Sequence, residues 1–391
     1  MSEWKEYKLG EVALKMTSGG TPKTSESAYY NGGIPWLNTK EVNFNRISKT
    51  EKNISELGLS NSSAKWIPKY SVIVAMYGAT AGKVAYSLIN LTTNQACCNV
   101  TVDKKKADSL FMYYYLQSSY VELENLACGA AQQNLSVGVI SNFPVLLPPL
   151  AQQEFIAGVL SSLDDKIDLL NCQNQTLESM AEALFRHYFI DNAQPEWKDG
   201  VISDLIDFNP ARKLTKNTVA PFLEMSELST RTYAPNGWYE RVFTSGTKFQ
   251  NGDTLLARIT PCLENGKTAY VDFLKEDQVG WGSTEYIVMR PKEIIHPFFA
   301  YVIAKYKDFR DFAESCMSGS SGRQRVDVEN LKSYEIQIPD SESIKQFNIF
   351  VESAVSKMNC NNQQIRTLTK LRDTILPKLM NEMVNLEDAN I

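Results

Sequence analysis

The chain has 391 residues, a formal net charge of −5, and 43% hydrophobic and 10% aromatic residues, enough for two or more domains with buried cores. Only two histidines (His187, His296) and seven scattered cysteines without a C-x-x-C pair argue against a metal centre or a His-based triad, and suit reduced thiols in a cytoplasmic protein. No apolar run approaches the roughly 18 residues of a membrane helix, and a charged N-terminus carrying Trp4 and Tyr7 does not read as a secretion signal.

Residues 1–148 carry 14 basic and 11 acidic groups and read as short β-type runs divided by glycine and asparagine turns, among them "SVIVAMYG", "KVAYSLI" and "CCNVTV". The spacing predicts one helix near 108–120 ("DSLFMYYYLQSSY"). This mix suggests a compact α+β domain. Within it, "AMYGATAGKVAY" (75–86) looks at first like a phosphate-binding loop. A P-loop reads G-x-x-x-x-G-K-[ST] and opens a helix. Here Gly78 and Gly82 enclose three residues, Val84 replaces the hydroxyl, and a β-type run follows. A hairpin turn carrying an exposed lysine fits better.

Residues 149–194 carry 2 basic and 7 acidic groups. Ile156, Leu163, Ile167, Leu170, Leu177 and Leu184 recur in heptad steps, which predicts a long helix with one apolar seam. Pro148-Pro149 stand just before it. About 38 residues at ~1.5 Å each give a rod of roughly 55 Å. Asp164 and Asp165 are expected to face water beside that seam.

From residue 195 the chain is written again. "EWKEYKLGEV" (3–12) is echoed by "EWKDGVISDL" (196–205), and "IPWLNTKEV" (34–42) by "APFLEMSEL" (220–228). Gly82-Lys83-Val84-Ala85-Tyr86 matches Gly266-Lys267-Thr268-Ala269-Tyr270, with Pro261 where a P-loop needs its first glycine. "GAAQQNLSVGVISNFPVLLPP" (129–149) answers "GSSGRQRVDVENLKSYEIQIPD" (319–340), and "LLNCQNQTL" (169–177) answers "KMNCNNQQI" (357–365). The helix echo lies at 296–312, with His296-Pro297 at its start. A second seam runs through Ile344, Val351, Val355, Met358 and Ile365 after Pro339. The reading is therefore 1–148, a first globular domain; 149–194, a first helix; 195–339, a second globular domain; and 340–391, a second helix. An apolar seam needs cover, and the two helices can cover each other, antiparallel if the domains sit at opposite ends. Asn174 and Asn362 occupy matching seam positions, where a buried polar residue fixes register at some cost in stability; the alternative is a solvated edge.

Catalytic motifs are not found. There is no G-x-S-x-G, and "DFNP" (207–210) and "NFPVLLPP" (142–149) do not make the [DNS]-P-P-[YFW] loop of an adenine methyltransferase. The chain reads as a non-catalytic binding protein that needs no cofactor.

The stretches "WKEYKLGEVALKMTSGGTPKTSESAYYNGGIPWLNTKEV" (4–42), "YGATAGKVAY" (77–86), "TTNQAC" (92–97) and "NFPVLLPPLAQQEFIAGVLSSLDDKI" (142–167) resemble the specificity subunits of type I restriction–modification systems. The second copy departs from the pattern at "FNPARKLTKNT" (208–218) and "SESIKQF" (341–347). The resemblance implies an α+β tandem repeat of two β-rich target recognition domains, each followed by a long helix, the helices pairing as an antiparallel coiled coil. It implies that each domain reads one half of an asymmetric two-part site in double-stranded DNA. The helices would set the gap and dock two modification subunits, which transfer methyl from S-adenosylmethionine to adenine; restriction subunits would complete the nuclease. A different reading is a non-catalytic scaffold with two protein-binding domains on a coiled coil.

Phosphates call for Lys, Arg, hydroxyls or backbone N–H groups, and base edges for Arg or Lys to guanine and Asn or Gln to adenine. In the first domain Ser18, Gly19, Gly20, Thr21 and Lys23 offer N–H groups, hydroxyls and a charge. Asn38, Thr39, Lys40, Tyr77, Thr80, Lys83, Asn94, Gln95, Gln132, Gln133 and Asn134 extend the set. In the second domain "SGSSGRQRV" gives Arg323, Gln324 and Arg325, supported by Arg212, Lys213, Arg231, Arg258 and Lys267. Tyr29, Tyr30 and Trp36 either stack on a displaced base or belong to the core.

Overall fold

The computed structural model describes residues 4–128, 134–320 and 322–380. They divide into two compact units, one of the described residues up to 166 with 367–380, the other of those within 167–366.

In the first unit, five strands form one sheet in the order Ala13–Ser18, Cys97–Val102, Val72–Ala75, Val84–Ser87, Asn45–Ile47. Val72 and Val74 pack into one core with Val84, Tyr86, Cys98 and Val100. Ile73 and Ala75 pack into another with Ala85 and Cys97. Both faces are therefore covered, which is why "SVIVAM" is an unbroken apolar run rather than an alternating one. The helix Ser109–Ser118 covers the first face through Phe111, Met112, Tyr113 and Leu116. Asp108 caps it, accepting the Phe111 N–H at 2.7 Å, as a short acidic residue does for otherwise unpaired first-turn donors. On the other side lies a smaller sheet ordered Lys52–Ile54, Tyr30–Leu37, Thr92–Thr93. Trp36 is 4% exposed and donates its Nε1–H to the Gly20 carbonyl at 2.9 Å, so it is core, and the half-buried Tyr30 spends its hydroxyl on the Pro22 carbonyl at 2.7 Å. Lys5–Lys8 pairs antiparallel with Pro144–Leu147, beside the start of the first long helix.

The second unit repeats this plan. Ile206–Phe208, Tyr286–Pro291, Thr254–Ala257 and Thr268–Tyr270 form one sheet; Tyr239–Val242, Val219–Leu223, Gly280–Gly282 and Thr247–Phe249 form another. The parallel pairing of Trp36 with Thr92 recurs as Phe222 with Trp281, and Lys198–Val201 pairs with Glu335–Ile338 as the first unit's edge strands do. The helix expected at 296–312 is two helices, Phe299–Lys305 and Lys307–Ser315, because Tyr306 between them is extended (ψ 131°).

The long helices run Leu150–Arg186 and Ser341–Met380. They are antiparallel in each unit. In the second, Asn174 meets Asn362 and the Phe189 and Phe347 rings lie 5.2 Å apart. In the first, Asp164 meets Arg372, and Ile156 and Leu160 share a core with Leu376 and Met380. From Ile156 on, Leu160, Asp164, Ile167, Leu170, Asn174, Glu178, Ala181 and Phe185 are buried in three- and four-residue steps, and Gln153 and Ala157 are buried beside them near the start of the helix. Leu163, Leu177 and Leu184 are only half-buried. Asp164 thus corrects the sequence expectation. It is 6% exposed, accepts the Tyr114 hydroxyl at 2.6 Å and pairs with Arg372 at 2.8 Å. Asp165 keeps its exposure but holds Arg46 at 2.6 Å.

Candidate functional site

The first unit gathers its candidate residues at one cluster of loops. Strand Ala13–Ser18 runs into Gly19-Gly20, of which Gly19 presses against residues 93–94 and Gly20 against residues 63–64. A Cβ on Gly19 would stand 2.1 Å from the Thr93 carbonyl oxygen, so only glycine fits. The Gly20 N–H donates to that same carbonyl at 2.8 Å and is therefore not a free anion donor. Thr21 then donates its hydroxyl to the Gln95 side chain. Asn38 caps the short helical turn Thr39–Glu41, accepting the Lys40 N–H at 3.1 Å. Thr39 is buried and donates its hydroxyl to buried Asn94 at 2.7 Å, and the Thr80 hydroxyl reaches the Thr39 carbonyl at 3.3 Å. Glycines, hydroxyls and amides at 18–21, 38–40, 80 and 94–95 thus knit the loops to one another. Lys23, Lys40, Tyr77 and Gln95 remain exposed; Lys23 pairs with Glu26 at 3.1 Å and Lys40 with Glu51 at 2.8 Å. Ser18 is half-buried at the strand end.

The turn at 76–83 closes a hairpin, with the Ala75 N–H donating to the Lys83 carbonyl and the Gly82 N–H to the Ala75 carbonyl, each at 2.9 Å. Gly82 has φ 81° and its repeat counterpart Gly266 φ 80°, left-handed values that glycine adopts without strain. Both copies close the turn on a left-handed glycine followed by lysine, but the second turn is two residues longer, and the Gly266 N–H donates to the Leu263 carbonyl where that of Gly82 donates to Ala75. Lys83 is half-buried rather than fully exposed. It donates to Asn43 Oδ1 at 2.7 Å and lies 5.8 Å from the centre of the Phe44 ring. Asn134 is exposed, and its neighbour Leu135 bonds to the Met76 carbonyl at 2.9 Å, which places it beside this turn. Gln132 and Gln133 lie outside the described residues.

In the second unit the corresponding loops also converge. The Thr260 N–H and hydroxyl both reach the Gln324 carbonyl, at 3.1 and 3.2 Å, and Arg258 donates to the Val326 carbonyl at 2.8 Å. Arg325 grips Glu285 with Nε and Nη2 at 2.9 and 2.7 Å. Lys267 donates to the Met225 carbonyl at 2.7 Å, a counterpart to Lys83 and Asn43. Arg323 is exposed, and its side chain bonds to none of the described residues. Arg212 and Lys213 lie apart from this cluster. Arg212 pairs at 3.0 Å with Asp253, a fully buried carboxylate also held by Arg290 at 2.7 Å. Lys213 and Arg231 are exposed.

The long helices bring the two seam asparagines together and add residues that sequence reasoning missed, among them Asn361 and Glu178. Asn174 donates to Asn362 at 2.9 Å and accepts from Asn361 at 2.8 Å. Asn174 is 5% exposed, so this amide ladder lies inside the helix pair. One turn on, Glu178 is 6% exposed and accepts the Tyr301 hydroxyl at 2.5 Å and the Tyr233 N–H at 3.2 Å. Burial pushes its carboxyl up to about 7, against the Tyr301 hydrogen bond and Lys305. Asp164 stands four and three residues from Leu160 and Ile167, and Glu178 four and three from Asn174 and Ala181, so their spacing fits the seam although their side chains do not.

Residues 1–179 and 195–370 each match the family described as the type I restriction modification DNA specificity domain. The chain is 25% identical to the MjaIX specificity subunit of Methanocaldococcus jannaschii, over 99% of this chain and 94% of that one. It is 21% identical to the HindI specificity subunit of Haemophilus influenzae, over 97% and 99%. Its fold is similar to that of the type I restriction-modification S subunit from M. genitalium, with a TM-score of 0.55 at 17% identity, covering 98% of this chain and 97% of that one. With both copies matched over nearly their whole length, the chain belongs to the type I restriction modification DNA specificity family.

Proposed function

We infer that this chain is the DNA sequence-specificity subunit of a type I restriction–modification complex. The observation that carries this reading is the family match in both copies, joined to the recurrence of one loop cluster around the Gly82 and Gly266 turns. Residues 1–148 and 195–339 act as recognition domains, each reading one half of a two-part DNA target. Residues 149–194 and 340–391 form the spacer that fixes the gap and dock two methyltransferase subunits; restriction subunits complete the assembly. The chain itself carries no catalytic step and takes no cofactor.

Among the candidate contacts, Lys23, Lys40, Tyr77, Lys83, Gln95 and Asn134 serve the first half-site. Arg231, Arg323 and Gln324 serve the second; Lys213, apart from the loop cluster, does not. Gly19, Gly20, Thr39, Asn94, Arg212, Arg258 and Lys267 shape the loops from within. Arg325 held by Glu285 presents its loop to the duplex.

The test is a methylation map. The chain is co-expressed with the methyltransferase subunit of its system, and host DNA is sequenced for N6-methyladenine. A two-part motif with a fixed gap that disappears without the chain is the expected result. A stable purified complex that adds no methylation would refute the assignment.

A further inference from the structure

In the second unit, residues 229–238 leave the recognition domain's sheet and reach the long helices. Tyr233 lies at the centre of this strap. It is 1% exposed, and its N–H binds Glu178 on the first long helix. Its hydroxyl accepts the Asn362 side-chain N–H at 2.6 Å and shares its hydrogen between Asn359 and Asp272, each at 3.2 Å. Asn359 and Asn362 belong to the second long helix, and Asp272 follows strand Thr268–Tyr270 of the domain. One hydroxyl therefore joins the domain to the asparagine that also bonds Asn174. Farther along the strap, Trp238 stacks on Phe273 at 4.1 Å, and the Arg366 guanidinium lies 4.4 Å over the Trp238 ring. Arg366 is on the second long helix, so the strap is clamped at two points.

The first unit reaches its long helix from the same place in the repeat, by other chemistry. There strand Asn45–Ile47 follows the helical turn Thr39–Glu41 and presents Arg46 to Asp165. The Arg46 ion pair has an exposed partner, whereas Tyr233 is buried and its partners Asp272, Asn359 and Asn362 are half-buried. Buried hydroxyl–amide networks accept few geometries, because any shift leaves a desolvated donor or acceptor unpaired. A domain held this way has one seat on its helices.

We propose that Tyr233, with Arg366 as its second anchor, is the positioning residue that locks the second recognition domain to the helix pair, and that it thereby fixes the gap between the two DNA half-sites. This rests on the specificity-subunit reading. Tyr233 would read no base. It would hold the domain that does at one set distance along the duplex, through Asn362, which also pairs with Asn174 across the two helices.

The experiment is a methylation map of the full chain with its methyltransferase subunit, for the native sequence, Tyr233→Phe and Arg366→Gln. A native chain that yields no two-part motif removes the underlying function, independently of the strap. With a native motif in hand, each variant is expected to keep both half-site sequences. Methylation of sites with a gap one base pair longer or shorter should rise about tenfold relative to the native site, the ratio that one lost buried contact supports. A merely structural role lowers melting temperature and methylation at every site while the gap stays fixed, and that result would overturn the proposal. So would a changed half-site sequence. If Tyr233→Phe gives no soluble complex, Arg366→Gln decides by the same criterion.

Discussion

Replacing Arg212 with alanine separates a DNA contact from a folding contact. Its guanidinium sits 3.0 Å from Asp253, whose side chain is fully buried. Breaking a buried ion pair outright costs about 3–5 kcal/mol, because the remaining charge is left uncompensated. Here Asp253 keeps Arg290 at 2.7 Å and the Gln250 N–H at 2.7 Å. The loss is therefore closer to one charged hydrogen bond, ~2 kcal/mol. For a unit of this size that lowers the melting temperature by about 4–8 °C. Calorimetry of the full chain measures it, and DNA binding titrated with salt supplies the second axis. A lost phosphate contact would reduce the slope of log affinity against log salt by about 0.9. The expected outcome is a lower melting temperature with an unchanged slope. An unchanged melting temperature with a reduced slope would refute the reasoning and return Arg212 to the DNA surface. Asp253→Ala, which strands two arginines at once, should cost more than Arg212→Ala, about 3–5 kcal/mol.

Glu178 predicts a pH dependence. Its folded value of about 7 lies above the ordinary 4.5, so its stabilising contribution is complete below pH 4.5 and is lost as pH rises through 7, a change on the order of 3 kcal/mol. Melting temperature followed from pH 5 to pH 8 should fall more steeply in the native chain than in Glu178→Gln; parallel curves would contradict this. Asn174→Leu takes one partner from Asn361 and one from Asn362, which keep Gln173 and Tyr233, and should destabilise by ~1–3 kcal/mol, whereas a raised melting temperature with unchanged activity would remove the register role. Arg323→Ala should relax recognition in one half-site by ~1–3 kcal/mol if the residue reads a base. A uniform loss across sequences would make it a phosphate contact, and no loss would take it out of the interface.

The repeat made the architecture legible. Two matched copies predicted two matched domains, and the Pro148-Pro149 and Pro339 boundaries lie next to the helix starts at Leu150 and Ser341. The seam was harder to read. Leucines drew the heptad through 163 and 177, while the buried series passes through Asp164 and Glu178, polar residues that periodicity alone assigns to solvent. Their partners, Tyr114 and Tyr301, are 50 and 123 residues away, a separation that no local pattern reports. The loops posed the same difficulty. A lysine or arginine in a glycine-rich turn looks free, and only the fold shows Asn43 beneath Lys83 or Glu285 beneath Arg325. Gly82 and Gly266 were readable because their left-handed backbone leaves a residue-type mark in both copies.

The make-up of the first unit has a consequence for synthesis. Its core joins residues near position 156 to Leu376 and Met380, while the second unit is contiguous in the chain, residues 167–366. A ribosome adding about 5–20 residues per second takes roughly 10–40 s to make that intervening stretch. At the end of this interval the second unit has its whole sequence available, and the first is still without the turns that cover Ile156 and Leu160. The domain that begins the chain is the last to be finished, and its apolar helix face is open to chaperones until the final helix emerges.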